Sequence, residues 1–206
     1  PNIVLLAYIA PQEIAKDAGT SSSIMRRRLA GKLSPQLYLK SSKGEHIYFW
    51  PGTYMLNMST QSPKVGGKRG YEVMASFVAD ELLGSGLWDG VFYDNAWDDI
   101  AWFAGNDVDI NGDGRKDSYI KEPWRAGMSA LYKKTRELTK DKYLILANGT
   151  TKYYKDDVNG KMLENFLEHS WEPTMNTYAY NMNGGHMPNI NIINTNSSNT
   201  GNSTDY

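Results

Sequence analysis

Cysteine is absent from this 206-residue chain, which excludes disulfide bridges and thiolate catalysis but marks no compartment. Neither sign of charge predominates. Lysine and arginine number 22 against 23 acids, a formal net charge of −1, so nothing draws the chain over distance to nucleic acid or an anionic membrane. Its densest basic cluster, Arg26-Arg27-Arg28, reads as a solvated helix face. No apolar run approaches the roughly 20 residues that cross a bilayer, so membrane insertion is not expected. Histidine is scarce: His46, His169 and His186 are scattered, without ligand spacing or a Ser/Asp partner for a triad. No signal peptide is present, and the chain opens at Pro1 without a methionine, which reads as a mature or excised segment.

What the chain does have is enough apolar residue, 40%, to bury a core, and 12% aromatics, a surplus suited to flat ligands. Asn2 to Ile9 reads as a buried strand ahead of Pro11, and Ser23 to Ala30 as a short helix. Leu37 to Trp50 alternates around Ser41-Ser42-Lys43-Gly44 as a hairpin excursion, and Thr53 to Met58 reads as the next buried strand. Gly70 to Leu83 has helical period and stops at Gly84 and Gly86. The strand Leu87 to Asn95 follows, then a long polar loop and a helix over Trp124–Leu138, with Met128, Leu131 and Leu138 toward the core. Strands at Tyr143–Ala147, Lys161–Phe166 and Asn189–Ile193 complete the set, with a weak helix at Thr174–Asn183. Residues 194–206 form a polar Asn/Ser/Thr/Gly tail or cut loop.

Strands alternating with helical or irregular stretches argue for parallel β-α units. The turn after the first strand, Ala10-Pro11-Gln12-Glu13, cannot serve as the glycine-rich phosphate turn of an open nucleotide-binding sheet. A complete eight-stranded barrel needs about 250 residues. The expected fold is therefore α/β, an incomplete or truncated TIM (β/α) barrel of about six parallel strands over residues 1–193. Its exposed edges call for a missing flanking segment or a neighbouring subunit to cover them.

Two strands end in a carboxylate followed by an amide. Val91-Phe92-Tyr93 runs into Asp94-Asn95, and Lys161-Met162-Leu163 into Glu164-Asn165. Side chains at the carboxyl ends of parallel strands point into the active-site crevice. A pair of such acids is what glycosidic hydrolysis needs, one to donate a proton and one to act as nucleophile or base. Either acid alone reads equally well as an ordinary strand-end residue. Asp98 and Asp99 share the loop after Asp94 and are the alternative acids. Asn148, at a strand-end turn, could reach a substrate hydroxyl. Tyr8, Asn95 and the aromatic faces of Trp97 and Trp171, just beyond the acid-bearing strands, are further candidates for sugar contact.

A second motif is acidic. Counting Asp109 as one, oxygen side chains fall at positions 1, 3, 5 and 9 (Asp109, Asn111, Asp113, Asp117), with Gly114 at 6 and the Arg115 carbonyl at 7. This is the register of a calcium loop, spanning 107–118, except that position 12 is Ile120; Asp107 or Glu122 would have to supply the missing oxygen. Hard oxygen donors exclude zinc, and without a flanking helix pair the Ca2+ expected here is structural.

The strings Asp89-Gly90-Val91-Phe92-Tyr93-Asp94-Asn95, Asp109-Ile110-Asn111-Gly112-Asp113-Gly114 and Met162-Leu163-Glu164-Asn165-Phe166 resemble a group of glycoside hydrolases. Its members are predicted TIM barrels, distantly similar to endo-α-1,4-polygalactosaminidases and more remotely to α-galactosidases. Tyr48-Phe49-Trp50-Pro51-Gly52-Thr53 and Trp124-Arg125-Ala126-Gly127-Met128 extend the likeness, which runs from about Ile3 to Glu168. The resemblance implies that Asp94 is the nucleophile or base and Glu164 the acid/base. It also implies a polysaccharide or oligosaccharide substrate met outside the cell or at its surface. The rival expectation is a non-catalytic carbohydrate-binding or cell-surface scaffold protein that kept the barrel and lost turnover.

Overall fold

The computed structural model describes residues 3–150, 152–166 and 170–195. In chain order it contains β1 (Leu6–Ile9), β2 (Glu13–Ala15), α1 (Ile24–Lys32), β3 (Thr53–Met55), α2 (Gly70–Phe77) and β4 (Gly90–Ala96). A short α3 (Ala101–Ala104) and the long α4 (Lys121–Thr139) follow, then β5 (Leu144–Gly149), β6 (Gly160–Leu163), α5 (Trp171–Met182) and β7 (Ile192–Ile193). Strands β1, β4, β5, β6 and β7 pair in that order, every pair parallel. The protein is thus a mixed α/β structure around a five-stranded parallel sheet. Spatial order follows chain order, and β1 and β7 stand at the two edges.

Helix starts follow their local chemistry. The Ser23 hydroxyl accepts from the Arg26 amide at the head of α1, and the Glu72 carboxylate reaches back 2.9 Å to the Arg69 amide at the head of α2. Helix α4 buries Trp124, Met128, Leu131, Tyr132 and Thr135, one stripe at helical spacing. Leu138, expected on that stripe, is 40% exposed in the last turn. Tyr93 of β4 meets this helix from the sheet, its hydroxyl 2.8 Å from that of Thr135. Ala7, Ile9, Val91, Ile145 and Ala147 join the same core from β1, β4 and β5. The alternate residues Tyr8, Phe92 and Leu146 lie on the other face, where Tyr8 is 65% exposed.

Among the described residues the parallel strands number five, not six, and the difference is one segment. Thr53 to Met58 does not enter the parallel sheet: β3 pairs antiparallel with β2 in a separate two-stranded sheet. The excursion before it claims its backbone. Met55 donates to the Ile47 carbonyl, Leu39 to the Met55 carbonyl, and Leu56 to that of Gln12. Beyond it the chain presses against α4 so closely that a Cβ at Gly127 would overlap the Met58 carbonyl. The excursion itself turns at Ser41–Gly44, with Lys40 bridged to His46. Residues 196–206, most of the polar tail, lie outside the described residues.

Candidate active site

Strand alternation assembles the site. Phe92 is paired with Leu146, so Asp94 and Asn148, each two residues further on, share a face at the carboxyl ends of β4 and β5. Asn148 is in turn paired with Met162, and Glu164 follows two residues later just beyond β6. Each acid is succeeded by an asparagine in the left-handed region, Asn95 at φ 50° and Asn165 at φ 54°. Asparagine tolerates that region better than most residues, so the chain can leave each strand sharply and keep the acid at its tip. At β4 the departure also breaks the register between Tyr93 and Ala96.

One amide joins the two acids. Asn148 Nδ2 donates to Asp94 Oδ1 at 3.0 Å and to Glu164 Oε2 at 2.8 Å. Two acceptors on a single NH2 group are about 5 Å apart when each takes its own N–H, and cannot exceed about 6 Å. Asp94 collects two more donors, the Tyr8 hydroxyl at 2.5 Å and the Asn95 amide at 2.9 Å. Burial first, then the Asp94 hydrogen bond and the charges of Asp94, Glu13 and Glu164, push the Tyr8 phenol far above its ordinary range. Tyr8 therefore remains a donor at any working pH. Glu164 is exposed, and Asn148 is its hydrogen-bond partner.

Two cavities reach hydrogen-bond partners of Asp94, Asn148 in one and Tyr8 in the other, while Asp94 itself lines neither. One, of about 530 Å3, is lined by Trp97, Asn148, Lys161, Glu164, Thr174 and Thr177 among others. The other, of about 430 Å3, takes in Tyr8 and Glu13. Trp97 lines the cavity of Glu164. Trp171 is 66% exposed at the head of α5, edge-on to Phe166, and does not line either cavity. Asn95 turns its side chain to a different acid, donating 2.8 Å to Glu13 Oε1.

Glu13 is the residue the sequence reading missed. It sits only 9% exposed at the head of β2, a third carboxyl beside the pair. Its Oε2 is buried without a well-formed hydrogen bond, while the neighbouring Thr53 hydroxyl donates to the Trp50 carbonyl. The available signal was an acid two residues after Pro11, at the end of a strand read as buried. Burial raises the Glu13 carboxyl above its ordinary value of 4.5 and the Asp94 charge adds to this, against the hydrogen bond from Asn95. A carboxyl raised on folding stabilises the fold below its unfolded value, and that contribution disappears as pH rises through the folded value. Unfolding by urea should therefore show wild-type stability falling as pH rises from about 4 toward neutrality. Glu13→Gln should flatten that slope, and parallel pH curves for the two proteins would contradict this account.

The alternative acids are engaged elsewhere. Arg125 grips Asp98 through two nitrogens at 3.1 and 2.9 Å, and Lys121 holds Asp99 at 2.7 Å, so both tie their loop to α4. His46 stacks on Tyr54, His186 pairs with Asp141, and His169 lies outside the described residues.

The acidic loop closes on itself. Asp109 accepts from the amides of Gly112, Asp113 and Gly114, Asn111 from Asp113, Asp113 from Arg115, and Asp117 from Ile110. Asp107 instead faces the Ser42 amide at 3.1 Å. Among the described residues no three His, Cys or acidic side chains gather where one ion could be held.

Compared with known families, the whole chain, residues 1–206, matches the model of hypothetical glycosyl hydrolase family 15, in keeping with the hydrolase resemblance in its motifs. No curated protein matches it.

Proposed function

The chain belongs to hypothetical glycosyl hydrolase family 15, and from that premise we propose that it hydrolyses glycosidic bonds in a polysaccharide with Asp94 as nucleophile and Glu164 as acid/base. The carrying observation is the shared Asn148 amide: acids that each take one of its N–H groups would have their facing oxygens about 5 Å apart. Retaining glycosidases hold their carboxyl groups about 5–5.5 Å apart, whereas inverting ones leave about 6.5–9.5 Å for a water. The division of roles follows the donors. Three of them converge on Asp94, which suits an anion that must attack, and the more open Glu164 faces the cavity where a leaving group would depart. Glu164 would give its proton to the glycosidic oxygen as Asp94 bonds the anomeric carbon. It would then take a proton from the water that releases the sugar.

A panel of polysaccharides scored for released reducing ends tests the activity, and proton NMR of the first product on any active substrate tests the stereochemistry. The expected first product keeps the anomeric configuration of the bond cleaved. An inverted product would sink the retaining mechanism, and silence across the panel would favour the non-catalytic sugar-binding alternative.

The five parallel strands in sequential order support a partial (β/α) barrel whose edges are covered by further chain or a neighbour, and action outside the cell or at its surface belongs to the same proposal. Calcium in the 107–118 loop is a separate proposal. It rests on the register and on the hydrogen bond from Gly114, at position six, to Asp109 at position one. It would require those side chains to leave their amides. An ion bound only to the folded form would raise the melting temperature with its concentration. A chelator should lower the melting temperature, and Asp113→Ala should abolish that sensitivity. Superimposable melting curves with and without chelator would leave the amides as the loop's sole closure.

A further inference from the structure

Among the described residues Lys161 is the one cation lining the cavity of Glu164, and it is an unusual place for a lysine. It lies in β6, opposite Ala147, yet its Nζ donates 2.7 Å to the carbonyl of Gly149, two residues further toward the carboxyl end of β5. The side chain therefore runs along the sheet and delivers its ammonium to the same end where Asn148 and Glu164 stand. It is partly buried, and no carboxylate among the described residues pairs with it. A second cavity of about 440 Å3 adjoins it, lined among the described residues by Lys152, Asn176, Thr177, Tyr180 and Asn181 but by no acid. Thr177 and Lys161 line both cavities.

A buried cation without a counter-ion costs stability, and folding alone gives no reason to keep one. Burial accordingly lowers the Lys161 value below the ordinary lysine range, with no opposing acid. After its bond to Gly149 the ammonium has two N–H groups left; Glu164 lines the first cavity with it, and the second holds neutral polar groups and a further cation, Lys152. An anion arriving with the substrate would supply the missing charge. We propose that Lys161 recognises an anionic substituent, a carboxylate or sulfate ester, on a sugar unit next to the bond that Asp94 and Glu164 cleave, so that the substrate class is an acidic polysaccharide. This deepens the hydrolase reading and rests on it for the word substrate. A cationic amino-sugar polymer, which the polygalactosaminidase likeness would suggest, meets a like charge here instead.

The test measures binding by calorimetry to the full chain carrying Glu164→Gln, which prevents turnover. Its probes are uronic-acid trisaccharides, their methyl esters, a sulfated trisaccharide and an amino-sugar trisaccharide. Tighter binding of the uronate than of its methyl ester, by tenfold or more, is expected, and Lys161→Met should bring that ratio near one. A sulfated probe that outbinds the uronate with the same Lys161 dependence assigns the substituent as sulfate. Lys161→Met should melt no lower than its parent, because an unpaired buried charge is removed for an apolar chain of similar length; Lys161→Arg, which keeps the charge, should retain part of the preference if the methionine variant fails to fold. Preference for the methyl ester or the amino sugar, an anion preference indifferent to Lys161, or no binding of any acidic probe would each overturn the proposal. Hydrolysis is scored separately with Glu164 intact. Cleavage of neutral glycans without Lys161 dependence would defeat this inference and spare the hydrolase. Acidic-sugar binding through Lys161 with no turnover anywhere would defeat the hydrolase and spare the ligand class.

Discussion

Asp94→Ala and Glu164→Ala should each abolish all but a trace of activity on an unactivated glycan, and azide should rescue them with opposite stereochemistry. Removing a nucleophile or a general acid of this kind costs on the order of 10⁴-fold, about 5.5 kcal/mol of barrier. Asp94→Ala vacates the face from which the anomeric carbon is attacked, so azide can enter there directly while Glu164 still protonates the leaving oxygen. The product is a glycosyl azide of inverted configuration. In Glu164→Ala an activated leaving group departs without help and the glycosyl-Asp94 ester forms. Azide then displaces Asp94, and two inversions return the original configuration. The contrast assigns each role by product, independently of how far the rate falls. Swapped configurations would exchange the two residues. Asp98→Asn and Asp99→Asn bear on the choice too: each would break an ion pair to α4 without touching the pair bridged by Asn148, so the losses should be modest. Activity lost only at those positions would move the chemistry to them.

What could be read from the sequence was what periodicity and chain direction determine. An apolar run of strand length ending in an acid announced Asp94 and Glu164, because parallel strands deliver their last side chains to one end of the sheet. The helices over Gly70–Phe77 and Lys121–Thr139 were legible for a similar reason, each carrying an apolar stripe at helical spacing. Where pairing depends on distant chain, the pattern was silent. Thr53–Met55 has the composition of a wall strand, but Glu13–Ala15 and the 39–47 excursion claim its hydrogen bonds, and a three-residue strand carries too little pattern to announce its partner. Glu13 was hidden by the same ambiguity: its burial comes from that pairing and its place in the site from Asn95, whose side chain swings toward it only after the backbone turns left-handed. Trp171 shows the limit on the other side. It follows the Glu164 strand closely in sequence, yet the head of α5 turns it outward.

Asn148 is where the two acids depend on one neutral group, and its loss should be nearly as damaging as that of an acid. The amide offers both N–H donors to opposite carboxylates and carries no charge of its own. Without it Asp94 loses a donor, and whenever both acids are ionised they repel at about 5 Å by roughly 1–3 kcal/mol across the range of effective dielectric from water to a protein surface. Asn148→Ala should therefore lower kcat/KM by roughly 10²–10³-fold, since a lost donor to a reacting carboxylate and the added repulsion both oppose the charge that Asp94 must carry. The decisive readout is the pH profile. Stronger repulsion and a missing donor both favour the protonated forms, so each limb of the bell should move to higher pH. Asn148→Asp should do worse, because it replaces the shared donor by a third negative group between the first two, and Tyr8 alone cannot offset it. A variant that merely loosens the end of β5 would lower the whole profile without moving either limb, and that result would demote Asn148 from partner of both acids to a structural residue of the strand.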